Sequence, residues 1–172
     1  TEARAQAEVN ARKARQAIDD MYTQVAERWL AQQPQMEPVQ REFLEKALRF
    51  YSELAAESGS EPQIRIETAR AYRRIANIQH RLGQTALAEE AYKQAATRLE
   101  SLAGEFPAHA DYRGELASTL HESGVLLGDT GRYADEEKQH RRALALEQQL
   151  AVESPAKADY RRSLGRGHWY VA

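Results

Sequence analysis

The sequence predicts an all-α protein, an α-solenoid of antiparallel helix pairs repeated every 48 residues, and three observations predict it. The run Ala110, Asp111, Tyr112, Arg113 returns as Ala158, Asp159, Tyr160, Arg161, and the same offset of 48 carries Gly83 to Gly131, Glu105 to Glu153, Pro107 to Pro155 and Leu116 to Leu164 without a gap. Alignment of Gly, Pro, Tyr and Asp at one spacing is the signature of a structural repeat, which low-complexity alanine would not produce. Composition agrees: 42% hydrophobic and 29% charged residues, dominated by Ala, Leu, Glu, Arg and Gln, belong to amphipathic helices. Nine glycines and five prolines then punctuate the chain at regular places.

Residues 1–33 read as one long helix ending before Pro34, with Ile18, Met21, Tyr22, Val25, Trp29 and Leu30 on an apolar face. The repeat register fails there, so this segment is expected to be a divergent first helix, or a stalk packing as an amino-terminal cap. Residues 34–61 supply the second helix of that first repeat, from Pro38 to about residue 57. Residues 62–109 form the next repeat, with helices over 62–82 and 85–105, the first opened by Pro62 and by a capping box of Ser60 and Gln63. Residues 110–157 repeat the pattern with helices over 111–130 and 134–153. In both repeats a glycine, Gly83 or Gly131, supplies the left-handed residue that ends the first helix, and Pro107 or Pro155 follows the second. Residues 158–172 begin a further first helix, leaving Trp169 and Tyr170 without a following helix. Opening at Thr1 without methionine and closing inside a helical pattern, the chain is expected to be a piece of a longer protein.

Apolar spacing pairs the helices. Ala69, Tyr72, Ile75, Ala76 and Leu82 form one stripe, Leu116, Leu120 and Leu127 another, and Ala143, Leu146 and Leu150 a third. None can bury its stripe alone, and the small residues Ala76, Ala95, Gly124 and Ala143 mark the closest helix approaches.

Several function classes are excluded or disfavoured. A net charge of −2 and a pI near 6.2 give no basic field for nucleic acid. With no cysteine, thiolate zinc sites and cysteine nucleophiles are excluded. No apolar run approaches the roughly 18 residues of a membrane span, so no membrane contact by this chain is expected. His121 beside Glu122 has no second histidine four residues away and no HExxH pattern, which favours a polar groove residue over a metal ligand or acid/base group. Asp19-Asp20, Glu89-Glu90 and Glu136-Glu137 are helix neighbours pointing about 100° apart, solvated surface rather than catalytic dyads. Gly128 to Gly131 lacks a preceding strand and a Gly-Lys-Thr/Ser ending, so it reads as a turn and not a phosphate loop. No catalytic residue, cofactor or metal is expected.

Taking Gly83 and Gly131 as inter-helix glycines, residues 69–96 and 117–144 resemble the tetratricopeptide repeat. Tyr72 and Leu120 stand at the large position of the first helix, and Ala76 and Gly124 at its small one; Ala88, Tyr92 and Ala95 stand at the small, aromatic and small positions of the second. Glu136 and His140 depart from the pattern in the next unit, and the period exceeds the usual ~34 residues, resembling longer-helix variants such as those of kinesin light chain. Residues 14–20 with 69–75 also resemble the repeat region that follows the kinase domain and membrane span of large bacterial serine/threonine kinases; the kinase motifs themselves are absent.

The resemblance implies a right-handed superhelix whose first helices line a concave groove, there presenting Arg70, Arg73, Asn77, His80 and Arg81, then Ser118 and His121, then Arg166 and Trp169. Residues three or four apart share a helix face, and arginine forks match carboxylates. The first set is similar to the carboxylate clamp of chaperone-binding repeats, with Arg73 where lysine is usual and Asn77 at the asparagine position; Ser118, His121 and Val125 depart from it. The implied function is a non-catalytic scaffold arm of a signalling protein, binding a protein or peptide that is acidic or offers a terminal carboxylate. A solvated helix face is the alternative reading of the arginines. Self-association through residues 2–30 and the carboxyl end is the alternative function.

Overall fold

In a computed structural model, the described residues are Lys13, 16–18, 20–22, 38–56 and 59–153, and the regular structure among them is α-helix. Among the described residues five helices follow one another: α1 (Pro38–Ala56), α2 (Pro62–Arg81), α3 (Thr85–Glu105), α4 (Ala110–Asp129) and α5 (Tyr133–Glu153). For α2 to α5 the sequence-derived bounds agree to within one residue. The truncated first helix expected of a further repeat, at 158–172, lies outside the described residues.

The punctuation acts as its chemistry dictates. Gly83 and Gly131 take φ of 74° and 76°, the left-handed region a Cβ disfavours. The chain then folds back, so the amide of Gln84 donates to the carbonyl of Gln79 at 2.8 Å and that of Arg132 to Leu127 at 2.9 Å. These bonds occupy carbonyls that a helix end otherwise leaves open. The amino end of α2 differs from expectation. Its N-cap is Glu61, one residue later than Ser60, so the third helical position is Ile64 and the Ser60–Gln63 box does not form. Gln63 instead donates its side-chain amide to Glu67 at 2.8 Å. Pro62 occupies the first turn, where its missing N–H costs nothing.

The chain divides into two compact units, residues 1–47 and 48–172. In the first, Leu44 is fully buried and the Tyr22 and Phe43 rings stack with centroids 6.4 Å apart. In the second, α2 pairs with α3 and α4 with α5; α3 packs on α4, and the two first helices α2 and α4 also touch. One cluster takes residues from all four helices: Ile66 and Ala69, Leu99 and Leu102, Leu116, Ala117 and Leu120, and Ala143. Each leucine so buried contributes about 1.5–3 kcal/mol relative to exposure. The zero exposure of Ala76, Ala95 and Ala143 agrees with close helix approach at these small residues.

Charge repeats with the core. Arg65 at the start of α2 grips Glu105 at the end of α3 through two bonds of 2.6 and 2.7 Å, and 48 residues on Arg113 grips Glu153 at 2.5 and 2.7 Å. Each staple ties the open end of a helix pair. Between pairs, Arg132 meets Glu89 at 2.9 Å and Arg142 meets Glu100 at 2.5 Å, linking α5 and the turn before it to α3. Among the described residues no helix is long and apolar enough to cross a membrane.

Candidate functional site

Helices α2 and α4 lie side by side, and their facing polar residues are matched in charge. Arg70 donates from Nε to Glu115 Oε1 at 2.7 Å, while Arg73 places one Nη 3.1 Å from Glu115 Oε2 and the other 3.6 Å from Glu122 Oε1. Two arginines of one repeat thus converge on a carboxylate of the next. Arg70 is 47% exposed and Arg73 15%, so the outer guanidinium stays open to solvent while the inner one is largely covered.

The other expected groove residues take different places. Asn77 accepts a short hydrogen bond from the Tyr92 hydroxyl, a polar link between α2 and α3 rather than a solvated amide. His80 Nε2 sits 2.9 Å from Asp129 Oδ2 on α4. Arg81 is exposed, and Ser118, also exposed, donates to the carbonyl of Gly114 at 3.1 Å. Arg166 and Trp169 lie outside the described residues. The structure therefore brings Arg70, Arg73 and His80 to the α2–α4 junction.

His121, expected to be a polar groove residue, is largely covered. Its ring is 14% exposed and turned toward α5, with Nδ1 2.9 Å from Nδ1 of His140 and Nε2 3.3 Å from Glu147 Oε1. His140 is fully buried, and its Nε2 lies 3.7 Å from Glu136 Oε1. Burial first, and then the neighbouring His121, hold the His140 imidazole below its ordinary pKa, against a smaller opposing pull from Glu136.

The repeat register shows what this cluster replaces. Counting back 48 residues, His140 stands where the previous repeat has Tyr92, Glu147 where it has Leu99, Glu136 where it has Ala88, and His121 where it has Arg73. Two glycines make room. A Cβ on Gly124, at the position of Ala76, would come 2.8 Å from the His140 ring, and one on Gly128 would come 2.6 Å from the Glu136 carboxyl. His121 has no partner histidine four residues away on its own helix; the partner comes 19 residues later on the returning one. Register comparison of Tyr92 with His140 and Leu99 with Glu147 carried the signal.

Among the described residues, no group of three or more His, Cys, Asp or Glu is arranged to hold a metal ion. The histidine pair illustrates why: its nitrogens meet at hydrogen-bond distance, and the carboxylates lie beyond the far side of each ring. The carboxylate neighbours separate, Glu89 pairing with Arg132, Glu90 with Gln94, and Glu137 with Arg141. Residues 128–131 span the last residues of α4 and the turn after it, with Thr130 Oγ1 donating to the Leu127 carbonyl at 2.8 Å. A groove of about 400 Å³ runs between α3 and α5 over Tyr92, Thr119, Leu120 and Ser123, rimmed by the Arg132–Glu89 and Arg142–Glu100 pairs.

No family model matches the chain, and comparison with curated proteins and with solved structures likewise finds no match.

Proposed function

We propose that this chain is a non-catalytic scaffold module that binds an acidic protein segment or a chain-terminal carboxylate along the α2–α4 face. The reading takes the helix pairs as a tetratricopeptide-like α-solenoid with a right-handed superhelix, in which the first helices line the inner surface. Contact between α2 and α4 supports it, as does the core shared by four helices. On the same reading the chain is the repeat arm of a larger bacterial signalling protein; the resemblance of residues 14–20 and 69–75 supports that assignment.

One observation carries the functional reading: Arg70 and Arg73 converge on Glu115, with the Arg70 guanidinium half exposed. Exposed ion pairs contribute only about 0–1 kcal/mol, so a ligand carboxylate can replace Glu115 at Arg70 with little loss. The existing pairs meanwhile hold both forks in place, lowering the ordering cost of binding. A charged hydrogen bond to the ligand is worth about 1.5–3 kcal/mol.

The test is fluorescence anisotropy with a set of acidic peptides carrying free carboxyl ends and the same peptides amidated and neutralised. Acidic peptides should bind, more weakly as salt rises, and Arg70→Ala with Arg73→Ala should weaken them at least about tenfold, the loss of one charged hydrogen bond. Equal binding by the double variant, or no acidic peptide bound by the wild type, refutes the reading.

A further inference from the structure

Glu147, His121, His140 and Glu136 form a row of three contacts: 3.3 Å from Glu147 Oε1 to His121 Nε2, 2.9 Å between the two Nδ1 atoms, and 3.7 Å from His140 Nε2 to Glu136 Oε1. The 2.9 Å contact is a hydrogen bond in which one Nδ1–H donates to the other ring's bare Nδ1, so the accepting ring carries its hydrogen on Nε2 and is neutral. Protonating both rings would set Nδ1–H against Nδ1–H at 2.9 Å and place a charge on a ring with 0% exposure. The geometry therefore resists charging both imidazoles.

The surrounding charges do not relieve this. From α4, His121 opposes charging of His140, and Glu122 is engaged by Arg73 of α2 at 3.6 Å. On α5 itself, Glu136 favours the charge and Glu147 acts on His121. The carboxylates by which α3 reaches α5, Glu89 and Glu100, are paired with Arg132 and Arg142. In the preceding repeat the same interior positions hold Tyr92 hydrogen-bonded to Asn77, and Leu99, which do not titrate near neutrality.

We propose that the buried His121–His140 pair is an acid-sensitive latch: as pH falls below the ordinary imidazole range the α4–α5 pair opens, while α2–α3 stays closed. The sign follows from linkage. His140 has a folded pKa below its unfolded value, so at intermediate pH the open state binds the proton that the closed state refuses. The stabilisation is complete above the unfolded value and is lost as pH falls through the folded one.

Native-state hydrogen exchange on the full chain, corrected for the intrinsic pH dependence of exchange, tests this between about pH 7.5 and about pH 5. The opening constant of α4–α5 should rise by up to about tenfold per pH unit below about 6.5, with α2–α3 changing less. His140→Tyr with Gly124→Ala, which installs the residues of the preceding repeat, should remove the difference. Parallel pH responses of the two helix pairs in the wild-type chain overturn the proposal. Should the double variant not fold, NMR of the wild-type imidazoles decides: the His140 ring signals should move only together with loss of the α4–α5 amide signals. A His140 ring titrating near about 6.5 with those signals intact overturns the latch.

Discussion

Replacing Leu102 with alanine tests the shared core. Leu102 is fully buried and belongs to the cluster that takes Ile66 and Ala69 from α2, Leu116, Ala117 and Leu120 from α4, and Ala143 from α5. The substitution removes three carbons, a transfer loss of about 2.4 kcal/mol at about 0.8 kcal/mol each. A cavity walled by four helices cannot collapse by moving one of them, so the total should lie between about 2.5 and 5 kcal/mol. Leu87→Ala provides the control: Leu87 is 56% exposed, and its truncation should change stability by no more than about 0.5 kcal/mol. Urea unfolding followed by circular dichroism measures both. A loss below about 1 kcal/mol for Leu102→Ala would mean that the helix pairs do not share a core, and the packing account would fail.

Ala95 is fully buried, so Ala95→Trp should destabilise by overpacking, typically about 1–3 kcal/mol; an unchanged melting midpoint would place the position in solvent. Gly131 adopts φ of 76° with nothing within 4 Å of a built Cβ, so Gly131→Ala should cost about 1 kcal/mol through the backbone alone, read as a shift in the urea midpoint. The carboxyl of Glu105 is held down to about 2 by hydrogen bonds from Arg65 and Ser101. Its folded pKa is depressed, so its contribution is present above the ordinary carboxylate range and is lost as pH falls through about 2. NMR titration should find that depressed midpoint, and Arg65→Ala should return it toward 4.5; a midpoint unmoved by the variant would show that the staple does not set it.

Much of the architecture was legible because backbone punctuation is local. Gly83, Gly131 and Pro62 act through φ and missing hydrogen-bond donors, so their meaning does not depend on distant neighbours. The Ser60–Gln63 box failed by one residue because which residue becomes the N-cap is decided by the path of the incoming chain, and several polar residues near Pro62 compete for it. The α2–α4 face was legible in part. Helical spacing put Arg70 and Arg73 together, but their partner Glu115 lies 45 residues from Arg70 and meets it only through stacking of one repeat on the next. Asn77 was assigned to the groove by position, whereas the Tyr92 hydroxyl turns it toward α3. The contact of His121 with His140 is illegible for the same reason: burial of a polar group depends on the partner that the returning helix supplies, and a single helix face does not reveal it.

The central claim is that the first helices form the binding face, and chemical-shift mapping of the isotopically labelled chain against a bound acidic peptide tests it most directly. The account predicts the largest perturbations at the guanidinium groups of Arg70 and Arg73 and at the backbone around Glu115 and Glu122, with small changes along the α3–α5 groove. Perturbations centred instead on Lys93, Arg132, Lys138 and Arg142, with α2 and α4 silent, would contradict it.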